Sequence, residues 1–84
     1  MAGASRQQPK RLAAKLRDIR SRLALSQNGL IRLFDMEGEL TQAQISAFER
    51  GVRIPSLIVL LRYARSIDVT VDSLIDDKAA LPKR

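Results

Sequence analysis

The stretch Leu40–Gly51, LTQAQISAFERG, is the tightest local constraint in the chain. Thr41 stands where an N-cap belongs, its hydroxyl able to accept from an unpaired amide of the first helical turn. Gln44, three residues on, reaches back to the Thr41 amide and completes a capping box. Leu40 before the cap and Ile45 at the fourth helical position form a hydrophobic staple. Gly51 stands where the helix stops, at a position that favours a left-handed backbone. The spacing therefore predicts a short helix over about 42–50. Ile45, Phe48 and Glu49 share one of its faces. Ala43, Ser46, Ala47 and Arg50 lie roughly opposite, with Gln42 on the flank. The open face is small, polar and uncharged until its end. Such a face suits close approach to another surface, and Gln pairs bidentately with adenine in a major groove. A helix that packs on one side and does nothing on the other fits this stretch equally well.

Periodicity places four more helices around it. Pro9 suits a first turn, and Leu12, Leu16, Ile19 and Leu23 recur at helical spacing, which predicts a helix over about 9–23. Ser26 is a natural N-cap, and Leu25 with Leu30 repeats the staple. The helix after it, about 27–34, turns Leu30, Leu33 and Phe34 inward. Gly29 weakens this helix by roughly 1 kcal/mol relative to Ala, so a packing reason is expected there. Asp35–Glu39 (DMEGE) is a break. Ile54 is held extended by Pro55. Ser56 then caps a helix over about 57–67 with Leu57, Leu60, Leu61 and Ala64 on one face. Thr70 caps a last helix, about 71–76, carrying Val71, Leu74 and Ile75. Strand alternation and internal repeats are absent from the sequence. The expected class is all-α: a compact five-helix domain over 9–76, preceded by a disordered arm at 1–8 and followed by a flexible tail at 77–84.

Composition narrows the chemistry. Eighty-four residues suffice for one domain with one modest core. The chain has no Cys and no His, which removes disulfides, thiolate chemistry, Cys-based zinc sites, the commonest general base and the commonest metal ligand. Neither catalytic residues nor a metal or cofactor is expected, and an enzyme is disfavoured. The longest apolar run, Leu57–Leu61, is too short to span a bilayer. Met1–Pro9 lacks the apolar core of a signal peptide, so a cytoplasmic protein is expected. The formal charge is +6. Arg6, Lys10, Arg11, Lys15, Arg17, Arg20 and Arg22 against the single Asp18 account for the whole excess. A localised basic segment is the electrostatic footprint of a polyanion binder; a solvated basic helix face is the alternative.

Four segments, LSQ at 25–27, ISAFERG at 45–51, PSL at 55–57 and VTVDSLI at 69–75, occur in an order and near a spacing that resemble the Cro/phage-repressor (Xre-type) helix-turn-helix family. The resemblance covers about residues 10–76. It implies a lambda-repressor-like fold in which the second and third helices form the helix-turn-helix and the third enters the major groove. It implies base-facing positions for Gln42, Ala43, Ser46 and Ala47, with Gln44 near the same surface but engaged by the capping box. Phosphate contacts are implied for Gln27, Arg17, Arg20, Thr41, Arg50 and Arg53. Gln27 also matches a glutamine that braces a recognition-helix side chain. Glu49 matches a glutamate that pairs with an arginine of the first helix, here Arg20, so pairing and phosphate contact compete for that side chain. Family members form two-fold dimers through their C-terminal helices, which implies an interface at Ile58, Val59, Val71 and Ile75. The other reading of Ile58 and Val59 is that they close the core from the side.

Two departures bear on docking. The turn between the second and third helices is about four residues longer than usual and acidic (Asp35, Glu37, Glu39). Ile31 stands where a small residue is usual at the helix crossing. It should push the helices apart or turn outward, and the longer turn makes room. The expected function is a sequence-specific DNA-binding regulator, a repressor that binds a palindromic operator in double-stranded DNA as a homodimer. It would be nucleoid-associated, with no membrane partner and no small-molecule ligand. The alternative is a protein-interaction module, such as an antitoxin or adaptor, whose partner is a toxin or another regulator.

Overall fold

The computed structural model describes residues 9–82. The expected arm at 1–8 and the last two residues of the expected tail lie outside the described residues. The elements among them are five helices: α1 (Leu12–Leu23), α2 (Gln27–Leu33), α3 (Gln42–Glu49), α4 (Leu57–Ser66) and α5 (Val71–Ile75). Helix α1 packs against α3, α4 and α5, while α2 packs on α3 and α4 on α5.

Four of the five helix starts are set by a local hydroxyl. Ser26 Oγ accepts from the Gly29 amide at 2.9 Å, and Ser56 Oγ from Val59 at 3.3 Å. Thr70 Oγ1 accepts from Ser73 at 3.3 Å. At α3 the box is complete: Thr41 Oγ1 accepts from the Gln44 amide at 3.2 Å, and Gln44 Oε1 accepts from the Thr41 amide at 2.9 Å. Gly29 has its packing reason at the same place. A Cβ there would meet Ser26 Oγ at 3.2 Å and Leu25 Cδ2 at 3.4 Å, so a side chain would press on the cap itself.

The helix ends also share one device. After α3, Gly51 takes φ +75°, its amide bonds Phe48 O, and the Val52 amide bonds Ala47 O. This is a Schellman closure, which satisfies carbonyls that the helix leaves open. Ala24, Asp35 and Asp68 repeat it after α1, α2 and α4, with φ of 57–59°.

Helix α1 starts differently. It begins at Leu12 rather than at Pro9, and its N-cap residue, Arg11, makes no side-chain cap bond. Asp77 supplies the cap instead, accepting from the Lys10 amide at 2.9 Å and the Arg11 amide at 3.0 Å. The segment after α5 is therefore not a loose tail through residue 82. Leu81 is buried in the core, and Pro82 O accepts from Arg22 Nη1 at 2.7 Å.

The core forms around Leu16, Ile19, Leu30, Ile45, Tyr63 and Leu74, all fully buried. Leu40 and Ile45 are both in it, as the staple requires. Three inward assignments change. In α2, Leu33 is 53% exposed and Ile31 is buried in its place. Ile31 thus fills the crossing of α2 and α3 instead of turning out, with Met36 of the long turn packed against the same core. In α4, Leu57 is 78% exposed, and Val59, Leu60, Tyr63 and Ala64 are buried. Leu61 is only half-buried. The helix is rotated from the expected face: Val59 and Tyr63 turn to the core, and Arg62 and Arg65 take the solvent side. The Tyr63 ring meets Phe34 edge-on at 5.0 Å. Its hydroxyl is buried with no partner among the described residues, and burial pushes the phenol pKa up.

Candidate nucleic-acid interface

The two ends that the sequence closes so tightly leave α3 with a narrow open face. Gln42 and Ala43 are exposed, and Gln44 and Ser46 are half-buried. Ala47, expected to face bases, is 7% exposed and packs inward. The apolar side of α3 is wider than the spacing implied, since Ala47 adjoins Phe48 and its carbonyl takes the closing amides of Val52 and Arg53. Gln44 Oε1 is held by Thr41, so the amide group is fixed at the helix start. The Thr41 hydroxyl is likewise engaged by its own helix.

Behind this face sits the one acid of α3. Glu49 is buried, and Arg20 grips it through two bonds, Nε to Oε2 at 2.6 Å and Nη2 to Oε1 at 2.9 Å. Gln27 Nε2 adds a third at 3.3 Å. Arg20 Nη1 also donates to Leu25 O at 3.0 Å. The hydrogen-bonded carboxylate raises the Arg20 pKa further. Arg20 is therefore the structural partner of Glu49, and three of its five donors are engaged within the chain. Arg17 Nη1 donates to the Glu49 carbonyl at the end of α3. Gln27, at the start of α2, braces the recognition helix through Glu49, as the resemblance implied.

Most of the basic segment is engaged in the same way. Lys15, only 5% exposed, donates to Ser73 O at 2.8 Å and Asp76 O at 2.9 Å, closing the end of α5. Desolvation lowers its pKa, with nearby Arg11 adding to the effect. Arg11 Nη1 donates to Asp77 O at 3.0 Å. Arg22 pairs with Asp18 at 3.1 Å and with Pro82 O. The amides of Lys10 and Arg11 hold the Asp77 carboxyl below the usual carboxylate range. The localised basic segment expected at 6–22, of which Arg6 lies outside the described residues, is thus largely a set of intramolecular ties.

The cations with room to reach outward lie at the end of α3. Arg50 and Arg53 are exposed, and Arg50 Nε touches Ser46 Oγ at 3.3 Å. Arg53 and Lys10 both line a groove of about 310 Å³, where the chain before α1 meets Phe48 and Gly51. Lys10 was legible only as one charge in a run; its place beside Arg53 depends on how α1 packs.

Of the four residues expected at a dimer surface, Ile58 and Ile75 are exposed and Val71 is half-buried against the core. Val59 is fully inside and leaves the set, for the same rotation of α4 that exposes Leu57. Among the described residues no group of His, Cys, Asp and Glu is arranged to hold a metal ion. No helix there is long and apolar enough to cross a membrane.

A helix-turn-helix family model matches residues 16–74, from the middle of α1 into α5. No curated protein and no solved structure gives a significant match. The matched span contains the capped α3, the Glu49 cluster and the five-helix packing, and on these grounds the chain belongs to the Xre/Cro-type helix-turn-helix family of DNA-binding regulators.

Proposed function

We propose that the chain is a transcriptional repressor that binds a palindromic operator as a homodimer, with α3 in the major groove. The observation that carries this reading is the disposition of charge around α3. Its only carboxylate is turned inward and neutralised by Arg20, while its outer face is uncharged and ends in the exposed Arg50 and Arg53. A polyanion meets no carboxylate of α3 itself at such a face and finds cations at its C-terminal edge, while the exposed acids of the turn 35–39 flank the other end. Gln42 reads an adenine edge, and Ala43 touches a thymine methyl. Ser46 and Gln44 border this pair, and Arg50, Arg53, Arg17, Gln27 and the Thr41 end of α3 contact phosphates. Ile58 and Ile75, with Val71 beneath, supply the two-fold contact.

The test is fluorescence anisotropy with DNA from upstream of the chain's own gene against a scrambled duplex at physiological salt. A preference on the order of a thousandfold supports the reading. Gln42→Ala should then relax specificity at one base position by about 1–3 kcal/mol. Equal, salt-labile binding to both duplexes refutes it. A second reading, an antitoxin or adaptor, draws on the exposed Leu57, Ile58 and Ile75. It predicts salt-resistant binding of a protein partner that Ile58→Ser abolishes.

A further inference from the structure

The C-terminal half of α4 borders a groove of about 290 Å³ lined by Leu23, Leu33, Phe34, Arg62, Arg65 and Ser66. Three helices build it. The end of α1 brings Leu23, the end of α2 brings Leu33 and Phe34, and α4 brings the two arginines. Leu33 is 53% exposed, Leu23 is half-buried and Phe34 is buried. Arg62 and Arg65 are exposed, and neither side chain has a hydrogen bond or ion pair among the described residues. The cations of α1, by contrast, all have acceptors within the chain. The helix dipole accounts for a cation in the last turn of α4, at Arg65, but not for Arg62 one turn earlier. Three positions apart, the two arginines share a face. No carboxylate lines the groove, and the acids nearest in sequence, Asp35 and Asp68, pair with neither arginine.

We propose that this groove binds an acidic, amphipathic segment of another protein. A large apolar side chain of the segment sits against Leu23, Leu33 and Phe34, and its carboxylates pair with Arg62 and Arg65. Charge complementarity decides the class of partner. A guanidinium takes a carboxylate in a two-bond fork, and an apolar pocket beside it is what a buried anchor residue fills. A phosphate backbone would engage the arginines and leave Leu33 in water. An uncharged segment would cover Leu33 and leave two cations without partners. A segment of both characters satisfies both features. The groove shares no residue with α3, with Gln27, Arg50 or Arg53, or with Ile58, Val71 and Ile75. The proposal therefore stands on the fold alone, apart from operator binding and from self-association. It also differs from a contact through Leu57, Ile58 and Ile75, which is apolar and resists salt, whereas this one weakens as salt rises.

Selection of random linear peptides on the immobilised full chain, without DNA, tests it. The peptides recovered should combine acidic residues with a large apolar one, and labelled copies should bind the chain in fluorescence anisotropy. Arg62→Ala with Arg65→Ala should raise their dissociation constant about tenfold or more. Leu33→Ser should raise it about tenfold as well. Lys10→Ala with Lys78→Ala removes an equal charge from exposed residues that do not line the groove. That pair should change the constant less than about twofold, which separates docking from general attraction to a chain of formal charge +6. All five positions are exposed, so circular dichroism melts of the variants should match the unaltered chain. The proposal is overturned if no acidic, apolar peptide is recovered or if the two paired variants weaken binding equally. It is overturned if Leu33→Ser leaves binding unchanged, because the arginines would then be a bare anion patch. It is also overturned if a scrambled duplex displaces the peptide and itself loses affinity with Arg62→Ala and Arg65→Ala, which would make the groove a phosphate site.

Discussion

Helices α1 and α3 pack against each other, yet they use their polar groups in opposite ways. Helix α1 carries four cations, Lys15, Arg17, Arg20 and Arg22, and each donates to an acceptor within the chain. Helix α3 directs Thr41, Gln44 and Ser46 to its own ends and leaves Gln42 and Ala43 open. The most basic helix turns its donors onto the chain, and the nearly uncharged helix is the one left with an open face. Formal charge counts side chains. Contact with a partner depends on which donors can leave their present acceptors without stranding them, and in α1 few can.

The contrast can be broken by substitution. The largest effect is expected for Arg20→Ala, which leaves the buried Glu49 carboxylate with Gln27 alone. Urea unfolding should show a loss of about 3 kcal/mol, the low end for a severed buried pair. A loss of only a few tenths would mean that the cluster behaves as a surface pair. Lys15→Ala removes two charge-assisted bonds at the end of α5 and should cost about 2 kcal/mol in the same assay. Gln42→Ala, on the open face of α3, should stay within about 0.5 kcal/mol.

A smaller effect is expected at Asp77, and it depends on pH. Its folded pKa lies below the ordinary carboxylate value, so the charged form stabilises the fold above the unfolded pKa of about 3.9. That contribution disappears as pH falls through the lower folded value. Asp77→Ala should therefore melt below the unaltered chain at neutral pH, and the gap should close on acidification. The smallest difference separates the two kinds of arginine. Arg53→Ala should reduce the salt dependence of operator binding by about one phosphate's worth. Arg22→Ala should leave that slope unchanged, because its guanidinium is tied to Asp18 and Pro82.

Four helix starts were legible because their caps are local: Ser26, Thr41, Ser56 and Thr70 each act within three residues. The Glu49–Arg20 pair was legible only through the family resemblance, since 29 residues separate its members. The start of α1 was not legible at all, because its cap comes from Asp77. The facing of α4 was misjudged because five successive apolar residues, Leu57–Leu61, fit more than one stripe. The signal that resolves it was present in Arg62 and Arg65, which mark the solvent side. Lys15 offered no such signal. Its acceptors are backbone carbonyls at Ser73 and Asp76, and carbonyls leave no trace in a sequence. Ala47 was misplaced because its position on the α3 wheel is marginal, and only the closing turn after the helix decides it.

The bonds from Lys10 and Arg11 to Asp77 join residues 67 and 66 positions apart. During synthesis, α3 and its capping box are complete while the start of α1 still lacks its acceptor. Closing so long a loop is entropically costly and belongs among the slow, non-local steps of folding. The helix made first thus takes its N-terminal cap from one of the last residues made. Helix α3 closes both of its ends with neighbouring residues, whereas α1, on which it packs, depends on the far end of the chain.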